Sequence, residues 1–295
     1  MYFWASDNVS HHMPDEISYH TAGRLETLAV AARHCCSNDM PFVEHPRGRA
    51  YYRHWPAPEP RAAVIFLHGF GEHTGLYHRY GFTLNAAGID LWVVDQFGHG
   101  LTPGTRGDFG KIEDSSALAE ALTVLAEKQN PGLPLIAQGH SFGSVVTLFR
   151  LLAEPDRYRA GIISGAPLVP IPDMLDADTS LDLDLNWLSS DPFYRDSLEN
   201  DPLAFSDADA APLTRELDRA WDRFGLELPQ LTVPTLAVHG SADVIAPVDA
   251  VRAYAEQIEP LQLKEFHGAR HDVLNESVHR EVAATVVKFI SSQIG

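Results

Sequence analysis

Chemistry is most concentrated in this sequence at Gly139-His140-Ser141-Phe142-Gly143. The segment follows the apolar run Leu135-Ile136-Ala137 and precedes the helix-forming run Val145-Val146-Thr147-Leu148-Phe149, which puts Ser141 on a sharp strand-to-helix turn. Such a turn strains the backbone of its central residue, and the chain packs so closely that only very small residues fit two before and two after it. Gly139 and Gly143 meet that demand. A bare G-x-S-x-G arises by chance roughly 0.1 times in a chain of this length. The flanking strand and helix therefore carry the reading more than the five residues do.

A serine hydroxyl attacks a carbonyl only when a neighbouring base takes its proton, and that histidine needs an acid to fix its tautomer and stabilise its charge. Downstream of Ser141, Asp243 lies just beyond the apolar strand in Val238-His239-Gly240-Ser241-Ala242-Asp243. His271 lies just before the last helical segment, in Gly268-Ala269-Arg270-His271-Asp272. Fifteen histidines leave room for rivals, of which His267 is the nearest, but it directly follows the run Leu261 to Phe266 and so sits closer to its strand. Asp272 adjoins His271, yet sequence neighbours rarely pair side to side, so Asp243 is the expected acid. The chemistry also needs two amide donors for the oxygen that becomes negative. The Phe142 amide is one, at the helix start. The Phe70 amide, in the turn His68-Gly69-Phe70-Gly71, is the other.

Positioning these groups requires strands that end together. Short apolar runs, Val64–Leu67, Leu91–Val94, Leu135–Ala137, Gly161–Ser164, Leu236–Val238 and Leu261–Leu263, alternate with helical patterns at about 76–87, 115–128, 142–153, 248–257 and 278–291. This is the signature of an α/β fold with a mostly parallel sheet covered on both faces. A hairpin-like stretch at 42–52 precedes it. Residues 1–39 read as an N-terminal extension with one weak helical pattern at 21–34. Residues 40–166 and 229–295 read as two parts of one core, and 167–228, where the alternation breaks, as an inserted helical cap.

The formal charge is −18, and residues 170–227 contribute −11 of it through fifteen acids against four arginines. Such a surface opposes nucleic acid, which needs a basic face. Adjacent Cys35 and Cys36 cannot build a cross-linked framework, and the start of the chain lacks a basic, apolar leader. A soluble, cytoplasmic protein is expected.

Together, His68-Gly69-Phe70-Gly71-Glu72-His73, Asp95-Gln96-Phe97-Gly98-His99-Gly100, the Ser141 pentapeptide, Val238 to Asp243, and Gly268 to His271 followed by Asn275-Glu276 resemble, in order and spacing over about residues 42–295, the monoacylglycerol lipase and lysophospholipase group of α/β hydrolases. The resemblance implies an α/β-hydrolase fold, a Ser141-Asp243-His271 triad, oxyanion donors at Phe70 and Phe142, and a cap over an apolar acyl channel. It makes Asp95 to Gly100 a structural loop, and His68, His99 and His140 shapers of packing rather than bases. Three departures touch the substrate side. Leu76 stands where many relatives have Arg before a Tyr, Phe97 where they have Arg before Gly-His-Gly, and Phe142-Gly143-Ser144 where they have Met-Gly-Gly.

The expected activity is hydrolysis of neutral, lipid-like carboxylic esters through an acyl-enzyme, without metal or cofactor. A short-chain carboxylesterase or thioesterase is the enzymatic alternative, and a non-catalytic small-molecule binder the third. Glu72, Leu76, Leu168, Trp187 and Leu274 are the candidate substrate contacts. The acidic cap is expected to repel anionic esters over a Debye length of about 8 Å, and to make transient contact with membrane surfaces. The alternation Leu181-Asp182-Leu183-Asp184-Leu185 lacks the spacing of a calcium loop.

Overall fold

The computed structural model of the chain describes residues 41–170 and 180–295. The helical pattern expected at 21–34 lies outside the described residues.

Eight strands form one sheet in the order β1 (Phe42–Val43), β2 (Ala50–Trp55), β4 (Ile89–Val94), β3 (Ala62–Leu67), β5 (Leu135–His140), β6 (Ala160–Ser164), β9 (Thr235–Gly240) and β10 (Leu261–Phe266). The first two are antiparallel additions at one edge, and the strands from β4 to β10 run parallel. The hairpin expected at 42–52 is present as β1 and β2. Central strands run longer than their apolar runs. β5 continues through Gln138, Gly139 and His140 because its ladder is made by backbone, which pairs with β6 as far as His140 and Ser164.

The period of two along β3 divides the core. Ala63, Ile65 and Leu67 face one layer with α2 (Ile112–Gln129), α3 (Phe142–Ala153) and α6 (Ala211–Glu227); Ala62, Val64 and Phe66 face the other with α1 (His78–Ala86) and α8 (His279–Ile294). Burying each such large apolar side chain contributes about 1.5–3 kcal/mol. The edge strand β10 buries Leu261 and Phe266 but exposes Gln262 and Lys264, since only β9 pairs with it. α7 (Val248–Gln257) links β9 to β10.

Between β6 and β9 the chain leaves the sheet and returns. This stretch carries a small antiparallel pair, β7 (Ser180–Asp182) with β8 (Asp207–Asp209), the helices α4 (Leu185–Leu188) and α5 (Pro192–Asn200), and α6. The α5 start is set by Asp191, which accepts from the Phe193 and Tyr194 amides ahead of Pro192, and Arg79 of α1 holds Asp191 at 2.8 Å. Asp184 is spent in the same way, capping α4 through the Asn186 amide at 2.8 Å. α6 packs on the core, where Phe224 stacks on Phe149 at 5.0 Å and Glu216 accepts from the Ile112 amide at the start of α2.

Candidate active site

In the sheet order, β3 lies between β4 and β5, and the chain crosses from one side to the other there. Open α/β sheets place ligands beyond the strand C-termini at such a switch. The loops after β3, β5, β9 and β10 meet at that end, carrying Phe70, Ser141, Asp243 and His271 respectively.

Ser141 has φ 51° and ψ −120°, and among the described residues it is the only non-glycine with positive φ. Holding a side-chain-bearing residue there costs on the order of 1–3 kcal/mol, which the surrounding packing offsets. A Cβ on Gly139 would stand 2.1 Å from the Gly143 carbonyl oxygen, and one on Gly143 would stand 2.0 Å from the Leu67 carbonyl oxygen. The two glycines are therefore the condition for the turn. It points Ser141 into a cavity of about 300 Å³ and begins α3 at Phe142, so the helix N-terminus opens on the same space.

His271 lines that cavity, and its Nδ1 lies 2.9 Å from Asp243 Oδ2. Asp243 is buried and fully engaged: Oδ1 accepts from the Ile245 and Ala246 amides at 2.9 and 2.8 Å, while Oδ2 also meets His239 Nε2 at 3.1 Å. Burial opposes its charge, but His271 and His239 outweigh burial and hold the carboxyl well below the usual carboxylate range. His267, the rival base, is exposed past the end of β10. Phe70 and Phe142 line the cavity, and neither amide donates to another group among the described residues.

A second histidine–acid pair lies alongside. His140 Nε2 is 3.0 Å from Asp272 Oδ1 and its Nδ1 is 3.0 Å from Ser164 Oγ; its ring centroid is 4.9 Å from that of His271. Gly165, at φ 52°, leaves room for both rings, since a Cβ there would come within about 3 Å of each. Burial opposes charge on His140; with Glu72 ionised, Glu72, Asp272 and Asp243 more than offset it and raise its pKa to about 9. The resemblance leads one to expect a merely packed His140, so this ring, bonded through both nitrogens, is a finding of the structure. His140, His271 and Asp272 bring ligand-type atoms within 4.8 Å of one another. Each is already hydrogen-bonded, His140 to Ser164 and Asp272, His271 to Asp243, and Asp272 to His140 and Tyr194.

The family described as serine aminopeptidase, S33 (Hydrolase_4) matches residues 58–278. The chain belongs to this family. It is 29% identical over 276 residues to the monoacylglycerol lipase of Mycolicibacterium smegmatis, covering 83% of this chain and 94% of that one. Against the monoglyceride lipase of Homo sapiens it is 27% identical over 259 residues, covering 79% and 83%. The fold is that of a monoacylglycerol lipase from Paleococcus ferrophilus (TM-score 0.72, 24% identity, 83% of this chain and 99% of that one). It is equally that of a carboxyl esterase from Bacillus coagulans (TM-score 0.76, 20% identity, 87% and 99%). The protein is thus an α/β hydrolase, as its motifs led one to expect.

In this member of the family the substrate side departs from expectation. Of the five candidate contacts only Glu72 lines the cavity, and both of its oxygens are taken: Oε2 by the Gly69 amide at 2.7 Å and the Tyr77 hydroxyl at 2.6 Å, Oε1 by the Tyr194 hydroxyl at 3.1 Å. Leu76 and Leu274 are buried in the layer under α1 and α8, and Leu168 in the opposite layer. Trp187 is 44% exposed and outside the cavity lining. The apolar wall comes instead from Leu183, Leu188, Leu198, Phe205, Leu213 and Leu217. Apolar periodicity marks cap residues as buried but not what they are buried against. His239 was also missed. It stands four residues before Asp243, across the Gly240 turn from it, and its Nε2 meets both the Ala246 carbonyl at 2.7 Å and Asp243. His68, as expected, shapes its loop: burial pushes its pKa down to about 4, its Nε2 accepts from the Gln96 amide, and its Nδ1 faces the Gly69 carbonyl. Asp95 likewise ties down loops, accepting from the Thr74 and Leu101 amides.

Proposed function

We propose that the chain hydrolyses carboxylic esters with apolar acyl groups through an acyl-enzyme on Ser141. The observation that carries this reading is the conjunction, in one largely apolar cavity, of a strained Ser141 with a His271 held by a fully hydrogen-bonded Asp243. His271 Nε2 takes the Ser141 hydroxyl proton as Oγ attacks the carbonyl carbon. The oxygen that becomes negative is held by the Phe70 and Phe142 amides, and Asp243 stabilises the imidazolium. The leaving alcohol takes its proton from His271. Water then attacks the acyl carbon by the same route and releases the acid. Relatives named monoacylglycerol lipases place a glyceride among the first substrates to try.

A second reading, release of an N-terminal amino acid from a peptide, draws on the family's description and on Glu199, Asp201 and Asp207 lining the cavity, where an ammonium group would find partners. A single panel separates the two: monoacylglycerols and p-nitrophenyl esters of graded chain length beside aminoacyl anilides. Preferred turnover of esters with chains of about eight carbons or more, with fluorophosphonate labelling abolished in Ser141→Ala, is the expected outcome. Turnover of the anilides alone would replace this proposal with the peptidase. A folded wild type that neither labels nor turns over any member would make the chain a binding protein.

A further inference from the structure

We propose that Glu72 is held as a neutral carboxylic acid, and that its one proton, shared with Tyr194 of α5, makes it a positioning residue tying the oxyanion loop to the seating of the cap. This rests on the esterase reading above, in which the Phe70 amide is an oxyanion donor.

The Tyr194 oxygen lies 2.7 Å from Asp272 Oδ2 and 3.1 Å from Glu72 Oε1, and it carries a single proton. Two ionised carboxylates cannot both accept that proton. The shorter contact takes it, which leaves Glu72 Oε1 facing a lone pair unless Glu72 itself brings a hydrogen. With a proton on Oε1, Glu72 donates to Tyr194, Tyr194 donates to Asp272, and Glu72 Oε2 accepts from Gly69 and Tyr77. Every buried polar atom of the bridge is then satisfied.

Charge counting agrees. The groups facing Glu72 are Tyr77 at the start of α1, Tyr194 of α5, Asp272 after β10 and His140 at the end of β5. His140 faces acceptors from both nitrogens, Asp272 Oδ1 and a Ser164 hydroxyl that itself donates to Gly139, so it is the imidazolium that the Asp272 carboxylate balances, and a second carboxylate would stand uncompensated in a buried site. Burial, and then the nearness of Asp272, push the Glu72 pKa up.

The consequence falls on Phe70. Its preceding residue is fixed by the Gly69 amide's bond to Glu72, and the residue after it by the Gly71 carbonyl, which accepts from the Phe205 amide of the cap at 3.0 Å. A Cβ on Gly71 would stand 2.0 Å from the Phe205 carbonyl oxygen. The cap therefore grips the oxyanion loop on both sides of its donor.

The test uses the full chain and a p-nitrophenyl ester. Glutamine reproduces the neutral acid, with its amide NH₂ toward Tyr194 and its carbonyl toward Gly69 and Tyr77. Glu72→Gln is expected to retain at least about tenfold more kcat than Glu72→Ala, with KM little changed. Tyr194→Phe is expected to lower kcat by about tenfold. The wild-type fall in kcat at alkaline pH that follows loss of the Glu72 proton is expected to be absent in Glu72→Gln. A folded Glu72→Gln as impaired as Glu72→Ala would overturn the proposal, as would an active Asp272→Asn beside an inactive Glu72→Gln, which would move the proton to Asp272. Should the variants fail to fold, carbon-13 NMR of wild type labelled at glutamate carboxyls decides: one resonance still protonated at pH 7 supports the proposal, none refutes it. A wild type inactive on every ester would sink the esterase reading, while this resonance would still report on the proton.

Discussion

The pairs His271–Asp243 and His140–Asp272 have bonds of 2.9 and 3.0 Å, nearly complete burial and rings 4.9 Å apart, but they differ in what the remaining nitrogen meets. His271 has one nitrogen on its acid and the other without a hydrogen-bond partner among the described residues, in a ring that lines the cavity. His140 spends both, on Asp272 and Ser164. A base needs an unspent nitrogen, and a fixed positive charge needs none. The same two residue types thus leave one ring able to exchange a proton and the other fully bonded, and the partners of the second nitrogen decide which.

That contrast is open to attack by matched substitutions. Asp243→Asn is expected to cost about 10³- to 10⁴-fold in kcat, because it leaves His271 in the wrong tautomer. Asp272→Asn touches no reacting atom and is expected to cost about tenfold to 100-fold, measured on the same ester. Equal losses would erase the distinction between the pairs. Next in size is the proposed hold of the Phe205 segment on the loop that carries Phe70. Gly71→Ala, strained at φ 77° and colliding with Phe205, is expected to lower kcat by about tenfold with labelling of Ser141 slowed in parallel.

A third effect appears in stability. The acids around His140 outweigh burial and hold its folded-state pKa above its ordinary 6.5, so its contribution is fully present below about pH 6.5 and is lost as pH rises through the raised value. The unfolding free energy should fall over that window by on the order of 1 kcal/mol or more, read as a lower Tm, and Asp272→Asn should flatten the fall. The smallest effect concerns substrate charge. With Glu199, Asp201 and Asp207 in the cavity wall against Arg106, an anionic ester should react a few-fold more slowly than a neutral one of equal length at low salt. The gap should narrow as salt is added, and equal rates at low salt would dismiss the filter.

Local signals made the core legible in the sequence. Gly139 and Gly143 mark the turn because nothing larger fits, and Asp243 and His271, expected as acid and base because each follows the end of a strand, lie 2.9 Å apart. The limits lie where contact is non-local. Tyr194 reaches Glu72 and Asp272 across 122 and 78 residues, and no spacing rule joins them. Strand β7 overlaps the alternation at 181–185, but nothing in the sequence at Asp207–Asp209 marks the segment with which it pairs. Leu76 and Leu274 were rightly apolar, but the sheet layer claimed them, and the cavity wall was left to Leu183, Leu198 and Leu217.

The central claim is that Ser141 becomes acylated with His271 as its base. Intact-protein mass spectrometry after rapid mixing with a long-chain p-nitrophenyl ester, followed by peptide mapping, tests it most directly. The account predicts a transient mass increase equal to one acyl group, located on the peptide containing Ser141, absent in Ser141→Ala and slowed by at least about 10³-fold in His271→Ala. An acyl adduct on another residue, or full turnover by Ser141→Ala, would contradict it.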